Sequence, residues 1–196
     1  VKTVETTNTA AYEYYLQAKY KYEKREEMED TEIARGLLLK SIELDANLII
    51  AKSLLGSTYS STADYEKEIS IYEPALEQAE KLDDEIGMAS ILNNIGNVYY
   101  YQGDNSKSLN YYTRSMDIKE SLGDKNGMAN SLHNIGGVYW NRGEYATALD
   151  YYIRALKIRE ELGDKFGIGF SFSGIGNIHL QKGDYDIALD YYTKAF

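Results

Sequence analysis

Four glycines lie forty residues apart in this sequence, and each is surrounded by the same kind of residues. They are Gly56, Gly96, Gly136 and Gly176. The stretch from Ser90 to Tyr99 returns almost unchanged from Ser131 to Tyr139, and in a weaker form from Ser173 to His179. A fixed period of this length indicates an array of stacked units in which each unit contacts mainly its neighbours. Because such arrays bind other molecules and seldom catalyse, we expect no enzyme within these residues.

The composition narrows the class of partner. The 196 residues carry 31 acidic and 21 basic side chains, a net charge of −10. This charge disfavours nucleic acid, whose affinity comes largely from phosphate neutralisation, and anionic membrane surfaces. It favours a basic or neutral protein or peptide partner. Without cysteine the chain has no disulfide or thiolate metal site, and we expect no metal and no cofactor. No apolar run approaches the roughly 20 residues of a membrane span, and no signal peptide opens the sequence, so we predict a cytoplasmic location, with a nuclear one as the alternative.

The repeating unit can be followed from Asp124 to Gly163. Gly123 precedes Asp124, and this order predicts that one helix stops at the glycine and the next is capped by the aspartate. Apolar residues at three- and four-residue steps predict a helix from Met128 to Asn141. After a short turn, a second helix is predicted from Tyr145 to about Glu161. Each unit is therefore predicted to be a helical hairpin, which must stack on a neighbour to bury its apolar faces.

Small residues mark the place where the two helices of a hairpin are predicted to cross. Gly136 lies on the first helix, and Ala148 and Ala155 lie on the second. The large side chains Tyr139 and Tyr152 are predicted to fill the space between neighbouring units.

These residues resemble the tetratricopeptide repeat family. Its pattern places a leucine-like residue and glycine on the first helix, a tyrosine three residues later, and alanine, an aromatic residue and alanine on the second. Here the pattern is formed by Leu132, Ile135, Gly136, Tyr139, Ala148, Tyr152 and Ala155. The forty-residue period is similar to that of spindle-orientation adaptors, kinesin light chains and bacterial peptide-sensing regulators. The resemblance implies an all-α fold, a right-handed superhelical solenoid of antiparallel helix pairs that binds proteins or peptides.

The resemblance also divides the chain into repeats. We expect the parent protein to continue beyond Phe196, since that residue falls within a helix that is about six residues longer in earlier units. Pro74 is expected to kink the second helix of its repeat. The predicted divisions are a linker over 1–9, a divergent first repeat over 10–46, repeats over 47–86, 87–126 and 127–166, and a truncated fifth repeat over 167–196.

In this family the first helices of the hairpins line a concave groove, and the resemblance implies which side chains point into it here. They are rich in asparagine and aromatic rings and nearly free of charge. The predicted peptide-binding residues are Asn93, Asn94, Asn97, Tyr101, His133, Asn134, Trp140, Asn141, Asn177 and Gln181.

Asparagine suits a peptide groove because its amide both donates and accepts, and so can pair with a peptide backbone whatever the peptide's side chains are. Similar family members hold an extended peptide with asparagines at the position of Asn94 and Asn134. Leu54 and Gly174 lack the amide at that position, which limits the predicted ladder to the middle of the array. The alternative is that these asparagines are simply solvated.

Two aromatic residues are predicted to anchor the peptide, because large rings contribute contact area at a small entropy cost. They are Tyr101 and Trp140. The alternative for Trp140 is packing against the helix of the next unit.

The remaining ionisable residues have structural interpretations. His179 occupies a column of tyrosines and is predicted to be a packed core residue. His133 faces the groove with no carboxylate or second histidine in register, which disfavours catalysis or metal binding. Asp84, Asp124 and Asp164 recur at forty-residue steps and are predicted to be helix caps, too far apart to act as a catalytic pair.

Five cations on second helices are predicted to form a solvated convex face, with docking of another part of the protein as the alternative. They are Lys107, Arg114, Arg154, Arg159 and Lys194.

Three functions are open at this point. The first is a scaffold-like module that binds an extended peptide segment in the concave groove. The second is a regulatory or sensory region of a larger bacterial signalling protein, such as a nucleotide cyclase, kinase or transcriptional regulator, with no free peptide ligand. The third is end-to-end self-association through the last repeat, where Leu189, Tyr192 and Phe196 are expected to be poorly covered.

Overall fold

The computed structural model describes residues 8–195, without the side chain of Ser61, and that range contains ten α-helices, one short 3-10 helix and no β-strand. The α-helices are α1 (Thr9–Glu23), α2 (Met28–Leu44), α3 (Ile49–Ser57), α4 (Tyr65–Leu82), α5 (Glu85–Tyr101), α6 (Asn105–Ser121), α7 (Lys125–Asn141), α8 (Tyr145–Leu162), α9 (Lys165–Lys182) and α10 (Tyr185–Ala195). The 3-10 helix is Ser60–Thr62, between α3 and α4. The predicted all-α fold of antiparallel helix pairs is confirmed.

The chain divides into two compact units. Unit 1 ends at Val98 and contains α1 to α4 and most of α5. Within it, α1 packs on α2 and α3 packs on α4. Unit 2 begins at Tyr99 and contains the end of α5 and α6 to α10. Within it, α7 packs on α8 and α9 on α10, while α6 and α8 each also pack on the first helix of the next pair.

The helix ends follow the predicted turn chemistry. The Asp124 side chain caps α7 by accepting a hydrogen bond from the backbone N–H of Gly127 (2.9 Å), and Asp164 caps α9 through Gly167 in the same way (2.9 Å). Asp84 accepts from the Gly87 N–H (3.0 Å) at the start of α5. The predicted caps are therefore confirmed.

The turns of unit 2 share one backbone conformation. From Ala63 to Gly183 a residue with positive φ follows a helix at twenty-residue intervals, and in unit 2 that residue is always glycine, which adopts this conformation without a steric penalty. These glycines are Gly103, Gly123, Gly143, Gly163 and Gly183, with φ between +67° and +82°. In unit 1 the same turn positions are occupied by Ala63 (φ +52°) and Asp83 (φ +57°).

In two of the helix pairs, α3 with α4 and α7 with α8, the crossing point requires glycine on the first helix. A Cβ on Gly136 would lie 2.8 Å from the Tyr152 ring and 3.3 Å from the carbonyl oxygen of Ala148. At Gly56 the tyrosine is Tyr72, whose Cζ would lie 2.5 Å from the added Cβ. The close crossing predicted from the forty-residue glycine repeat is confirmed in these two pairs.

Several predicted bounds differ from the helices. The first helices begin at Glu85, Lys125 and Lys165, two residues before the predicted repeat starts at 87, 127 and 167. Helix α1 begins at Thr9, and the Asn8 side chain caps it through the Ala11 N–H (3.1 Å). Residues 1–7 of the predicted linker lie outside the described residues, as does the prediction made for Phe196.

Pro74 lies inside α4, which runs unbroken from Tyr65 to Leu82. Among the described residues, none of the helices combines the length and the apolar character needed to cross a membrane.

Candidate functional site

The ten predicted groove residues differ in how far they are exposed. Four in unit 2 are exposed: Tyr101, Asn141, Asn177 and Gln181. The other six are half-buried: Asn93, Asn94 and Asn97 in unit 1, and His133, Asn134 and Trp140 in unit 2.

In unit 1, Asn94 belongs to a polar network that joins α5 to α3. Its Nδ2 donates hydrogen bonds to the hydroxyl oxygens of Ser53 (3.0 Å) and Ser57 (3.3 Å). The Ser53 hydroxyl also lies 2.8 Å from the hydroxyl of Ser90. The amide hydrogens of Asn94 are therefore directed into the protein, and the amide oxygen is the group that remains for a partner.

The same network satisfies the hydroxyl of Tyr72. The Tyr72 oxygen lies 3.1 Å from the Ser57 hydroxyl. Burial raises the pKa of Tyr72, and the contact with Ser57 partly offsets the increase. The phenol is therefore neutral.

In unit 2, the residues at the end of α5 present aromatic rings. Tyr101 is 66% exposed, and its ring packs edge-on against Tyr100 at a centroid distance of 5.5 Å. Burial raises the pKa of Tyr100, and the nearby Asn141 side chain partly offsets the increase. Further along, Asn177 accepts a hydrogen bond from the Tyr192 hydroxyl (2.5 Å).

His133 and Trp140 are only partly available to a ligand. The His133 ring lies 5.0 Å from Tyr152 and 6.3 Å from Phe170, measured between centroids. Trp140 packs against a core cluster that includes Ala148 and Tyr152. The His133 Nδ1 and the Trp140 Nε1 are both enclosed, with no hydrogen-bond partner among the described residues. The structure thus gives Trp140 the core packing that was the alternative to an anchor.

Burial, followed by the nearby Arg159 guanidinium, lowers the pKa of His133 to about 4. Its imidazole is therefore neutral at physiological pH.

Arg159 is buried, and its predicted place on a solvated convex face is wrong. The side chain is 3% exposed and donates to the Gly167 carbonyl (3.0 Å), the Ser171 hydroxyl (2.8 Å) and the Asn130 side-chain oxygen (2.8 Å). The space for it exists because residue 167 is glycine: a Cβ there would lie 2.8 Å from Arg159 Cδ.

Lys119 occupies the equivalent position on α6. It is 9% exposed and donates to the Ser131 hydroxyl (3.0 Å), and burial lowers its pKa to about 8. Sequence reasoning placed Arg159 wrongly and did not consider Lys119. The signal was present, since each basic residue in this column is matched twelve residues later by a serine.

His179 packs as predicted. Its ring stacks on Tyr191 at a centroid distance of 5.7 Å, and its Nδ1 lies 3.1 Å from Asp184. Within residues 8–195, no group of three or more histidine and acidic side chains is arranged to hold a metal ion.

Comparison with known families is decisive at this point. The tetratricopeptide repeat pattern matches residues 47–121 and 127–196, which is more than half of the chain. The chain belongs to the tetratricopeptide repeat family.

Solved structures with the same fold are distant in sequence. BtubC (BKLC) from P. vanneervenii is 20% identical, with a TM-score of 0.70 over 96% of this chain and 90% of that chain. A Signal Transduction ATPase with Numerous Domains, which carries a tetratricopeptide repeat sensor and comes from Pyrococcus horikoshii, is 23% identical with a TM-score of 0.81. The match covers 94% of this chain but 28% of that protein.

A third similar structure is a Rap protein solved in complex with Competence and Sporulation Factor. It is 17% identical with a TM-score of 0.81, over 97% of this chain and 54% of that chain. No curated protein matches the sequence.

Proposed function

We propose that this chain is a protein-interaction module that binds an extended peptide segment in the predicted groove, through asparagine and aromatic side chains. The observation that carries the proposal is that the predicted groove positions on the first helices of unit 2 are uncharged and that four of them, Tyr101, Asn141, Asn177 and Gln181, are exposed. Amides satisfy a peptide backbone, and an exposed tyrosine ring adds contact area.

In unit 1 the proposed contact of Asn94 with the peptide is limited to accepting a hydrogen bond. Because the Asn94 amide hydrogens already bind Ser53 and Ser57, its contribution to the proposed ladder is an acceptor for a peptide N–H. Asn134 occupies the same repeat position in unit 2, and we propose that it has the corresponding role. Asn93, Asn97 and His133 complete the proposed groove lining, with Trp140 supporting it from the core cluster.

The Rap structure supports a binding role, because a protein of this fold is solved there with a bound factor. A cytoplasmic location remains part of the proposal.

The test is a selection of peptides from a random dodecapeptide library displayed on phage. Enriched sequences would be synthesised and titrated by calorimetry into the wild-type chain and the double variant Tyr101→Ala with Asn141→Ala. We expect binding to weaken at least tenfold in the double variant, since both side chains are exposed and neither belongs to the core.

The matched control is Asn110→Ala, which removes an exposed asparagine from the second helix α6. It should change affinity less than twofold, and circular dichroism should be the same for all three proteins. Failure to enrich any peptide, or equal affinity for the double variant, would rule out the groove proposal.

A regulatory role is the second candidate, favoured by the similarity to the ATPase with a tetratricopeptide repeat sensor. In that case the surface would engage a domain of the same polypeptide. The full coding sequence tests this directly: an enzymatic or DNA-binding domain in the same protein supports it, and a protein made only of repeats contradicts it.

End-to-end self-association is a third proposal. Leu189 on α10 is 65% exposed, whereas Leu149, its equivalent on α8, packs against the core cluster of Ala148, Tyr152, Ile175 and Ile178. Light scattering over a concentration series tests it, and a mass that stays monomeric at all concentrations would exclude it.

A further inference from the structure

Helix α1 leaves a row of large side chains uncovered. Tyr12, Leu16 and Tyr20 are 42%, 46% and 67% exposed. They are spaced by four residues, so they lie along one face of the helix over about 12 Å. The buried residues of α1 are Ala11 and Ala18, which are both small. We call the row of Tyr12, Leu16 and Tyr20 the α1 stripe.

A later first helix has the corresponding position covered by a neighbour. Aligning the buried Ala18 of α1 with the buried Gly176 of α9 places Tyr20 at the position of Ile178. Ile178 is fully buried in a core cluster that includes Tyr152 of α8. No helix precedes α1 among residues 8–195, so the α1 stripe has no such cover within that range. The stripe is therefore a surface suited to helix packing.

The charge around the stripe favours a second copy of the chain as the partner. The whole chain carries a net charge of −10, which on average repels another copy. Residues 12–20 carry one negative charge, on Glu13, and one positive charge, on Lys19, and therefore no net charge. Residues 185–195 of α10, in contrast, carry two aspartates and one lysine. Contact through α1 thus adds no net repulsion of its own.

We propose that the α1 stripe is an interface between two copies of this chain, which pair antiparallel about a twofold axis at Leu16. None of the ten predicted groove residues lies on α1, so the proposal goes beyond peptide binding. It also differs from end-to-end association through the last repeat. A twofold contact closes on itself and stops at the dimer. Because one helix from each copy supplies a small area, the dimer is weak.

The stripe complements itself in this arrangement. Leu16 meets Leu16 of the second copy, and Tyr12 lies level with Tyr20 of the second copy. Lys19 then lies beside the Tyr12 ring of the second copy, and the ring face attracts the ammonium group. Glu13 lies beside the Tyr20 hydroxyl of the second copy, which can donate a hydrogen bond to the carboxylate. Each charged side chain at the edge of the stripe therefore gains a favourable contact.

Both charged residues are available for these contacts. Glu13 is exposed. Lys19 is paired with Glu23 at 3.8 Å, and the two side chains are 48% and 59% exposed. An exposed ion pair of this kind contributes little to stability, so Lys19 can exchange it for a contact with the second copy.

Sedimentation equilibrium of the 196-residue chain, over a concentration series that reaches the millimolar range, measures the dimer. We expect Leu16→Glu to weaken dimerisation at least about tenfold, because it places two carboxylates at the centre of the contact. The matched control is Leu189→Glu on α10, where the leucine is 65% exposed. It should change the dissociation constant less than about twofold, and circular dichroism should be the same for all three proteins.

Two results of this series would overturn the proposal. One is a wild-type chain that stays monomeric at every concentration. The other is a dimer that Leu189→Glu weakens as much as Leu16→Glu does, or more, since the contact would then involve α10.

Cysteine cross-linking tests the orientation, because the chain has no cysteine of its own. The variants Tyr12→Cys and Tyr20→Cys are oxidised separately and as an equimolar mixture. Antiparallel pairing brings position 12 level with position 20, so the mixture should form a disulfide-linked dimer of the two variants, and neither variant alone should do so.

Two cross-linking results would contradict antiparallel pairing. Efficient linking of Tyr12→Cys with itself would show that the helices lie parallel. Linking of Leu16→Cys with Leu189→Cys would show a head-to-tail contact between the two ends of the chain. Either result would overturn the proposed interface.

Discussion

Unit 1 and unit 2 are built on the same forty-residue frame but use different chemistry at equivalent positions. In unit 1, Ala79 and Ile91 are both fully buried. In unit 2 the same two columns hold Arg159 and Ser171, joined by a hydrogen bond of 2.8 Å. The same two positions of the repeat are therefore buried in both units, but they are apolar in unit 1 and polar in unit 2.

The surfaces differ in the same way. The Tyr72 hydroxyl of unit 1 lies 3.1 Å from the Ser57 hydroxyl, whereas in unit 2 glycine occupies position 137, the equivalent of Ser57 for Tyr152.

The largest expected effect comes from breaking the buried polar contact of unit 2. Arg159→Ala should lower the free energy of unfolding by about 4 kcal/mol, since it leaves a cavity and unpaired groups on Asn130, Gly167 and Ser171. Urea denaturation measures the change, with the exposed Arg154→Ala as control, for which we expect less than about 0.5 kcal/mol.

The same contact allows a sharper comparison of the units. The double variant Arg159→Ala with Ser171→Ile carries the residue types that unit 1 has at the equivalent positions, Ala79 and Ile91. We expect the double variant to recover at least half of the lost stability, because an apolar pair can replace a buried polar one. No recovery would show that the two units are not equivalent at this position.

Lowering the pH should reduce the free energy of unfolding through His133 in unit 2. Its pKa is about 4 in the folded chain and 6.5 for the free side chain, so between these values the unfolded state binds a proton that the folded state does not. The histidine contribution to stability should be intact above pH 6.5 and fall by up to about 3 kcal/mol as the pH drops to 4.

The variant His133→Asn isolates this effect. It carries asparagine, the residue type found at the equivalent position, Asn93. In urea titrations, the free energy of unfolding of the wild type should fall relative to that of the variant between pH 7 and pH 4. A difference that stays constant with pH would show that His133 is not held neutral.

The smallest expected effect concerns the turns. Ala63→Gly should stabilise the chain by about 1 kcal/mol, because Ala63 adopts a left-handed conformation (φ +52°) that glycine adopts without strain. Gly143→Ala, at an equivalent turn of unit 2, should destabilise by a similar amount. Thermal unfolding gives the midpoint temperature of each variant. Midpoint shifts of the same sign in the two variants would contradict the strain argument.

Local features of the fold were predictable because they depend on short stretches of sequence. The Asp124 cap, the Gly123 stop and the bounds of α8 follow from residues a few positions apart. The burial of Arg159 was not predictable in the same way, because it requires the glycine at 167 and the serine at 171 on a different helix. Basic residues on a helix surface are usually solvated, and that expectation failed here.

For the site, sequence reasoning predicted a surface on the first helices but did not give the direction of each group. It treated Asn94 as an outward amide, while the structure turns its hydrogens towards Ser53 and Ser57. It assigned Tyr152 to space filling and did not connect it with the loss of polar residues at positions 137 and 174. Such coincidences appear only when equivalent positions of neighbouring pairs are compared in space.

The buried arginine has a consequence for the fidelity of assembly. Hairpins this similar in sequence can in principle associate out of order during folding. If α8 were to meet a helix carrying isoleucine instead of Ser171, its guanidinium would be trapped against a hydrocarbon surface at a cost of several kcal/mol. Arg159 therefore disfavours packing of α8 against a hairpin that carries isoleucine at this position, as Ile91 does, and so reduces the number of ways in which these similar hairpins can associate.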